Sequence, residues 1–124
     1  MITAGDFVLF RFPQADLERG KLRPALLLRN IPNEYNDWLV CMVSTQLHQQ
    51  IKDLEIVIST TDRDFAATGL KTDSLIRSSR LAVVGDDIFE GRLGSLTPAK
   101  LQEIRKRLSS WLLNDEAGLP SESR

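Results

Sequence analysis

Arg23 stands directly before Pro24 and the apolar run "ALLL", while Ser44, Thr45 and Gln46 close the apolar run "WLVCMV". A guanidinium is a permanent, planar cation that forks onto phosphate oxygens, and a hydroxyl can donate to or accept from them. If the two apolar runs are neighbouring antiparallel strands, the start of one lies beside the end of the other. Arg23 then faces Ser44 and Thr45 across one edge of the sheet, an arrangement suited to a phosphodiester. Plainer readings stay open on the residues alone. An arginine before a proline can simply solvate a strand end, and Ser-Thr at a strand exit can satisfy a turn.

Other chemistries have fewer residues to work with. The sequence contains no phosphate loop of the Gly-x4-Gly-Lys kind, no dinucleotide glycine fingerprint and no Gly-x-Ser-x-Gly elbow. His48, the single histidine, sits in the polar stretch "QLHQQIKD" and reads as an exposed loop residue. Cys41, the single cysteine, lies inside an apolar run and reads as core filler, with no intrachain disulfide possible. One histidine and one cysteine give a zinc site no ligand set, so neither a metal nor a cofactor is expected.

The 124 residues, 42% hydrophobic and 27% charged, suit one soluble globular domain. No apolar run is long enough to span a bilayer, and the N-terminus lacks a signal pattern, so a cytoplasmic protein with no membrane association is expected. The net charge of −1 hides its distribution. Between Arg11 and Arg29, five cations (Arg11, Arg19, Lys21, Arg23, Arg29) face two anions (Asp16, Glu18), a local charge of +3. A second basic stretch, "KTDSLIRSSR", contributes Lys71, Arg77 and Arg80 against Asp73.

These residues need a scaffold, and the apolar pattern supplies one. Strands are predicted over 6–12, 24–30, 38–44 and 54–59, joined by a polar loop at 14–22, turn chemistry at 31–37 and a second long loop at 60–73. Shorter strands follow in "SLIRS", "RLAVVGD" and "FEGRLGSL", with a break near Ser79. In "TPAKLQEIRKRLSSWLL" the period changes. Leu101, Ile104, Leu108, Trp111 and Leu112 recur on one helical face, Thr97 can cap the first turn, and Pro98 fits its first position. Many short strands closed by one helix predict a mainly β fold, a small bent barrel with a C-terminal amphipathic helix. The domain is expected to span 1–113, with a flexible acidic tail at 114–124.

The order "GDFVLFRFP", a loop, "RPALLLRN" and then "VCMVSTQ" resembles the MazF/PemK toxins, over roughly residues 4 to 113. The resemblance implies an SH3-like barrel, a homodimer, a cognate antitoxin as partner, and metal-independent cleavage of single-stranded RNA. Cleavage would proceed by 2′-OH attack and leave a 2′,3′-cyclic phosphate. Residue by residue, it implies that Arg23 is the catalytic arginine and that Ser44 stands where the family carries its catalytic threonine, with Thr45 following. Serine keeps the hydroxyl and loses the stiffening methyl. Arg77 matches an arginine some members use in the cut, as a supporting or phosphate-binding group. Those members carry an aspartate two positions later, where this chain has Ser79, and some carry a histidine in the first loop, which is absent here. No carboxylate or imidazole base is therefore available at those positions. Arg19 and Lys21 would steer the RNA backbone with Arg11, and Gln46 and Thr45 would read base edges. The competing reading is a catalytically weak or inactive barrel that binds nucleic acid or an acidic peptide in the same groove.

Overall fold

Apolar residues on both faces of the central strands require cover on both sides. In the computed structural model, which describes residues 1–11 and 21–114, the chain meets this with one six-stranded antiparallel sheet. Its strands are β1 (Asp6–Arg11), β2 (Leu22–Asn30), β3 (Asp37–Ser44), β4 (Ile56–Ile58), β5 (Ser74–Gly85) and β6 (Gly91–Ser95), in the spatial order β4-β5-β3-β2-β1-β6. A short helix α1 (Phe65–Thr68) lies between β4 and β5, and the long helix α2 (Pro98–Leu113) closes the chain. The mainly β class with a C-terminal helix is the one expected, here as a curled half-barrel. The expected tail beyond Asn114 and most of the first loop, including Arg19, lie outside the described residues.

The strand period of two sorts the core into two clusters. Phe7, Leu26, Leu28, Cys41, Val43 and Ile76 point to the face covered by Leu101, Ile104 and Leu108 of α2. Val8, Phe10, Ala25, Leu27, Trp38 and Val40 form the second cluster on the opposite face. The 38–44 run is thus buried on both sides, as its continuity predicts. Helix α2 begins as expected, with Thr97 Oγ1 accepting the Lys100 N–H at 3.3 Å and Pro98 at its start. Its last turn departs from expectation: Trp111 and Leu112 are exposed rather than buried. The helix is pinned instead by Arg105, whose Nε and Nη2 donate to the Leu28 carbonyl at 3.0 and 2.6 Å. The β2–β3 register shifts between Leu27 and Arg29, which is where that carbonyl is taken up by a side chain.

Three predicted boundaries are corrected. β2 begins at Leu22, so Arg23 lies inside the strand, opposite Phe10 of β1, and not at its mouth. "SLIRS" and "RLAVVGD" form one strand, β5, and the predicted break is a bulge. Cys41 pairs with Leu81 and Met42 with Arg77, so residues 78–80 are looped out of the ladder. The 60–73 loop contains α1, which packs on β6 and carries the curl of the sheet around from its β4 edge. That contact depends on Gly94. A Cβ there would overlap the Ala67 carbonyl oxygen and lie 2.6 Å from the Thr68 carbonyl carbon. Gly94→Ala is therefore expected to destabilise the protein by about 1–3 kcal/mol through overpacking against backbone. Chemical denaturation of the variant beside wild type measures this, with the midpoint falling and the slope unchanged.

Candidate functional site

β2 and β3 are adjacent and antiparallel, so the premise of the Arg23–Ser44 pairing holds. The ladder pairs Ala25 with Met42, and carrying its register on by two residues sets Arg23 opposite Ser44. Ala25 and Leu27 belong to the second core cluster and Met42 packs against it. By the period of two, Arg23 and Ser44 share that face. Residues so opposed hold their Cβ atoms about 5 Å apart. Arg77, opposite Met42 on β5, is on the same face and diagonal to Ser44, which itself pairs with Leu75. The register thus places Arg23, Ser44 and Arg77, on the neighbouring strands β2, β3 and β5, at one end of one face.

Their environments differ. Arg23 is exposed and makes no side-chain hydrogen bond or ion pair among the described residues. Ser44 Oγ accepts the Gln46 N–H at 3.0 Å, so the turn-satisfying role open to it in the sequence is filled. That bond uses the oxygen as acceptor and leaves its proton available for donation. Lys21 and Gln46 are exposed. Thr45 does not join Ser44. It lines a separate cleft of about 380 Å³ with Pro24, Leu70, Lys71 and Leu93. Thr45 sits in the bend just past the end of β3, and neither Arg23 nor Ser44 lines its cleft. Arg11, expected to steer a backbone, pairs with Glu90 at 3.3 Å.

Arg77 is the enclosed member, with 8% of its surface exposed. Its Nε donates to Glu55 Oε2 at 3.1 Å, Nη1 to Gln49 Oε1 at 2.7 Å and Nη2 to Ser79 Oγ at 3.5 Å. Glu55 has no exposed surface. Oε1 accepts the Ile51 N–H at 2.9 Å, and Oε2 also accepts the Ser79 hydroxyl at 2.6 Å and the Ser79 N–H at 3.3 Å. The bulge at 78–80 is what turns both Ser79 donors toward it. The missing carboxylate at position 79 is thus matched by a carboxylate from the chain just before β4. Sequence reading missed Glu55 because in "DLEIVIS" it reads as the polar position of an alternating strand. Only its placement inside such an apolar stretch hinted at burial.

Burial pushes the Glu55 carboxyl up. The hydrogen bonds from the Ser79 hydroxyl, the Ile51 N–H, Arg77 and the Ser79 N–H outweigh that and hold it below its ordinary 4.5. Burial, with the Glu55 charge nearby, pushes the Cys41 thiol far above its ordinary range, which fits its place in the core. His48 is exposed in the 3₁₀ turn Leu47–Gln49. Among the described residues, no group of three His, Cys, Asp or Glu side chains is placed to hold a metal ion. No helix there is long and apolar enough to cross a membrane.

A family model described as PemK-like, MazF-like toxin of type II toxin-antitoxin system matches residues 3–112. The chain belongs to the PemK/MazF toxin family. Two solved structures with this fold are similar to it. One is an endoribonuclease in complex with its cognate antitoxin from a mycobacterial species. It has 15% identity and a TM-score of 0.64, with 92% of this chain and 97% of that one covered. The other is the Mycobacterium tuberculosis toxin MazF-mt6, with 16% identity and a TM-score of 0.59, covering 85% and 95% respectively. No curated protein sequence matches the chain. At these identities the structures establish the fold, and the family match establishes a toxin of a toxin–antitoxin system.

In this PemK/MazF toxin the depressed Glu55 value has a consequence for stability. A carboxyl depressed on folding contributes stability that is fully present above its unfolded value of about 4.5 and is lost as pH falls through the folded value. Glu55→Gln strands the buried Arg77 and is expected to cost about 3–5 kcal/mol at neutral pH. Melting followed from neutral pH into acid should show a smaller acid loss for Glu55→Gln than for wild type.

Proposed function

We propose that this toxin is an endoribonuclease that cuts single-stranded RNA, with Arg23 and Ser44 as the groups that meet the scissile phosphate. The observation that carries the reading is the exposed Arg23 guanidinium, without a partner among the described residues and opposite the Ser44 hydroxyl when the β2–β3 register is carried on by two residues. The ribose 2′-oxygen attacks the adjacent phosphorus and the bond to the 5′-oxygen breaks. A 2′,3′-cyclic phosphate forms, the 2′-OH proton is lost and the 5′-oxygen gains one. The nucleophile is already in the substrate, so orientation and charge stabilisation are the protein's share. Arg23 offers its planar fork to the phosphorane oxygens, and Ser44 donates its hydroxyl proton to one of them. Arginine stays protonated, so its role here is electrostatic. Lys21 at the start of β2 would lie along the RNA backbone, and Arg19 is proposed to act with it. Thr45, lining its own cleft, and Gln46 would contact bases splayed from the strand. RNA as substrate points to a cytoplasmic site of action.

We further propose a homodimer under the control of a cognate antitoxin. Leu81, Val83, Trp111, Leu112 and Leu113 are exposed, and a groove of about 440 Å³ runs between Leu28, Leu39, Leu108 and Leu112. An acidic antitoxin segment laid over Arg23 and Lys21 would compete with RNA and weaken with salt. The second reading, binding without cutting, is favoured by one observation: the Glu55 carboxylate is sealed and cannot serve the ribose as a base.

Cleavage of single-stranded RNA is expected to persist in excess EDTA; activity lost to chelation and restored by magnesium would overturn the metal-free reading. Arg23→Ala should slow single-turnover cleavage by about 10²–10³, the scale of one lost oxyanion donor, with melting unchanged. Arg23→Lys should remain well below wild type, since a point charge lacks the fork. Full cleavage by Arg23→Ala would remove this site. Light scattering at micromolar concentration should return twice the 14.0 kDa chain mass.

A further inference from the structure

Ser44 and Arg77 are joined by more than the sheet. Ser44 Oγ takes the Gln46 N–H, the Gln46 carbonyl takes the Gln49 N–H at 3.0 Å, and the Gln49 side chain takes Arg77 Nη1. Arg77 in turn holds Glu55, and Glu55 returns to the same turn through the Ile51 N–H. The Gln50 side chain donates to the Glu55 carbonyl at 2.9 Å, and Ser78 Oγ donates to the Leu54 carbonyl at 3.1 Å. Glu55 is therefore the point where three segments meet: the turn leaving Ser44, the entry to β4, and the bulge of β5. Arg77 is the one cation facing it among the described residues. Of the five guanidinium N–H donors of Arg77, three are engaged in this network, leaving one on each terminal nitrogen.

We propose that Glu55 is a positioning residue of the candidate site: its buried carboxylate fixes Arg77 and the Ser44–Gln50 turn in one arrangement, so that Arg77 supports the phosphate held by Arg23 and Ser44. This rests on the endoribonuclease reading above. Glu55 touches no substrate. It fills the lone pairs of one carboxylate with donors from two segments, the turn at Ile51 and the bulged part of β5, and it meets the Arg77 charge with its own. The bulge at 78–80 exists to present Ser79, whose two donors complete that shell. Ser79 Oγ stands 2.6 Å from Glu55 Oε2, so a carboxylate placed on residue 79 would lie within hydrogen-bond reach of the residue 55 side chain and meet the same guanidinium.

That distance supplies a test by exchange. Wild type, Glu55→Gln, Ser79→Asp and the double variant Glu55→Gln/Ser79→Asp are compared in single-turnover cleavage of a single-stranded RNA oligonucleotide and in thermal melting. Glu55→Gln should lose about 10²-fold in the cleavage step, the scale of a misplaced catalytic group, with a much smaller change in oligonucleotide affinity. Ser79→Asp alone should also be impaired, because two like charges then stand side by side, whereas in the double variant the amide at residue 55 can donate to the carboxylate at residue 79. The double variant should recover both melting temperature and rate, to within about tenfold of wild type, a non-additivity that separate structural roles do not produce. If Glu55→Gln does not fold, the double variant alone decides. The proposal is overturned by a folded Glu55→Gln that cuts at the wild-type rate. It is also overturned by a double variant that regains its melting temperature without its rate, or that regains neither. Wild-type protein that cuts no RNA would remove the endoribonuclease reading instead. The melting half of the cycle would still test the tie, with additive melting shifts counting against it.

Discussion

A carboxylate with no exposed surface is stable in a protein only where its lone pairs are filled, and Glu55 gathers four donors to meet that condition. Much of this end of the sheet follows from that condition. β5 must bulge to bring the Ser79 donors around, and Arg77 must lie inward to supply the counter-charge. The turn after Ser44 must fold back through Gln49 and Ile51. A chain of this size spends a buried ion pair on that arrangement although apolar residues would fill the same volume at less desolvation cost. The return is a fixed relation among Arg77, the bulge of β5 and the turn that leaves Ser44.

The residues that make the family resemblance visible mostly hold the fold together. Gly5, at φ +94°, turns the chain into β1, and its N–H donates to the Leu27 carbonyl at 2.7 Å. Asp6 accepts the Thr3 N–H at 2.9 Å and pairs with Arg92 at 3.1 Å, tying β1 to β6. "GDFVLF" is therefore a structural signature, and the apolar part of "RPALLL" is core. The candidate chemistry rests on single residues at the ends of these runs. Such residues are hard to weigh from a sequence, because one exposed arginine resembles many others.

The cations divide by partner. Arg77, Arg92, Arg105 and Arg107 are engaged by carboxylates or a carbonyl, and they serve β5, β6 and α2. Arg23, although flanked by the strands of the core, is exposed and has no ion-pair partner among the described residues. On a chain whose net charge is −1, an exposed guanidinium on a strand next to one that ends in hydroxyls gives a local attraction for an anion that the total conceals.

The sequence by itself determined the strand-rich class, the C-terminal helix with its Thr97–Pro98 start, and the burial of the 38–44 run on both faces. These follow from short-range periodicity and capping, which the chain states locally. It also offered Arg23 and Ser44 as neighbours on the condition that their strands pair antiparallel, which brings a strand's beginning to its partner's end. Tertiary structure alone decided that Thr45 lines a cleft with Leu70 and Leu93, that the 74–85 segment is one bulged strand, and that the Glu55 carboxylate is buried against Arg77 and Ser79. Each of these depends on register or on contacts between residues more than 20 positions apart. A shift of one residue in register reverses every side chain, and no local pattern in the sequence records which register the packed core will select.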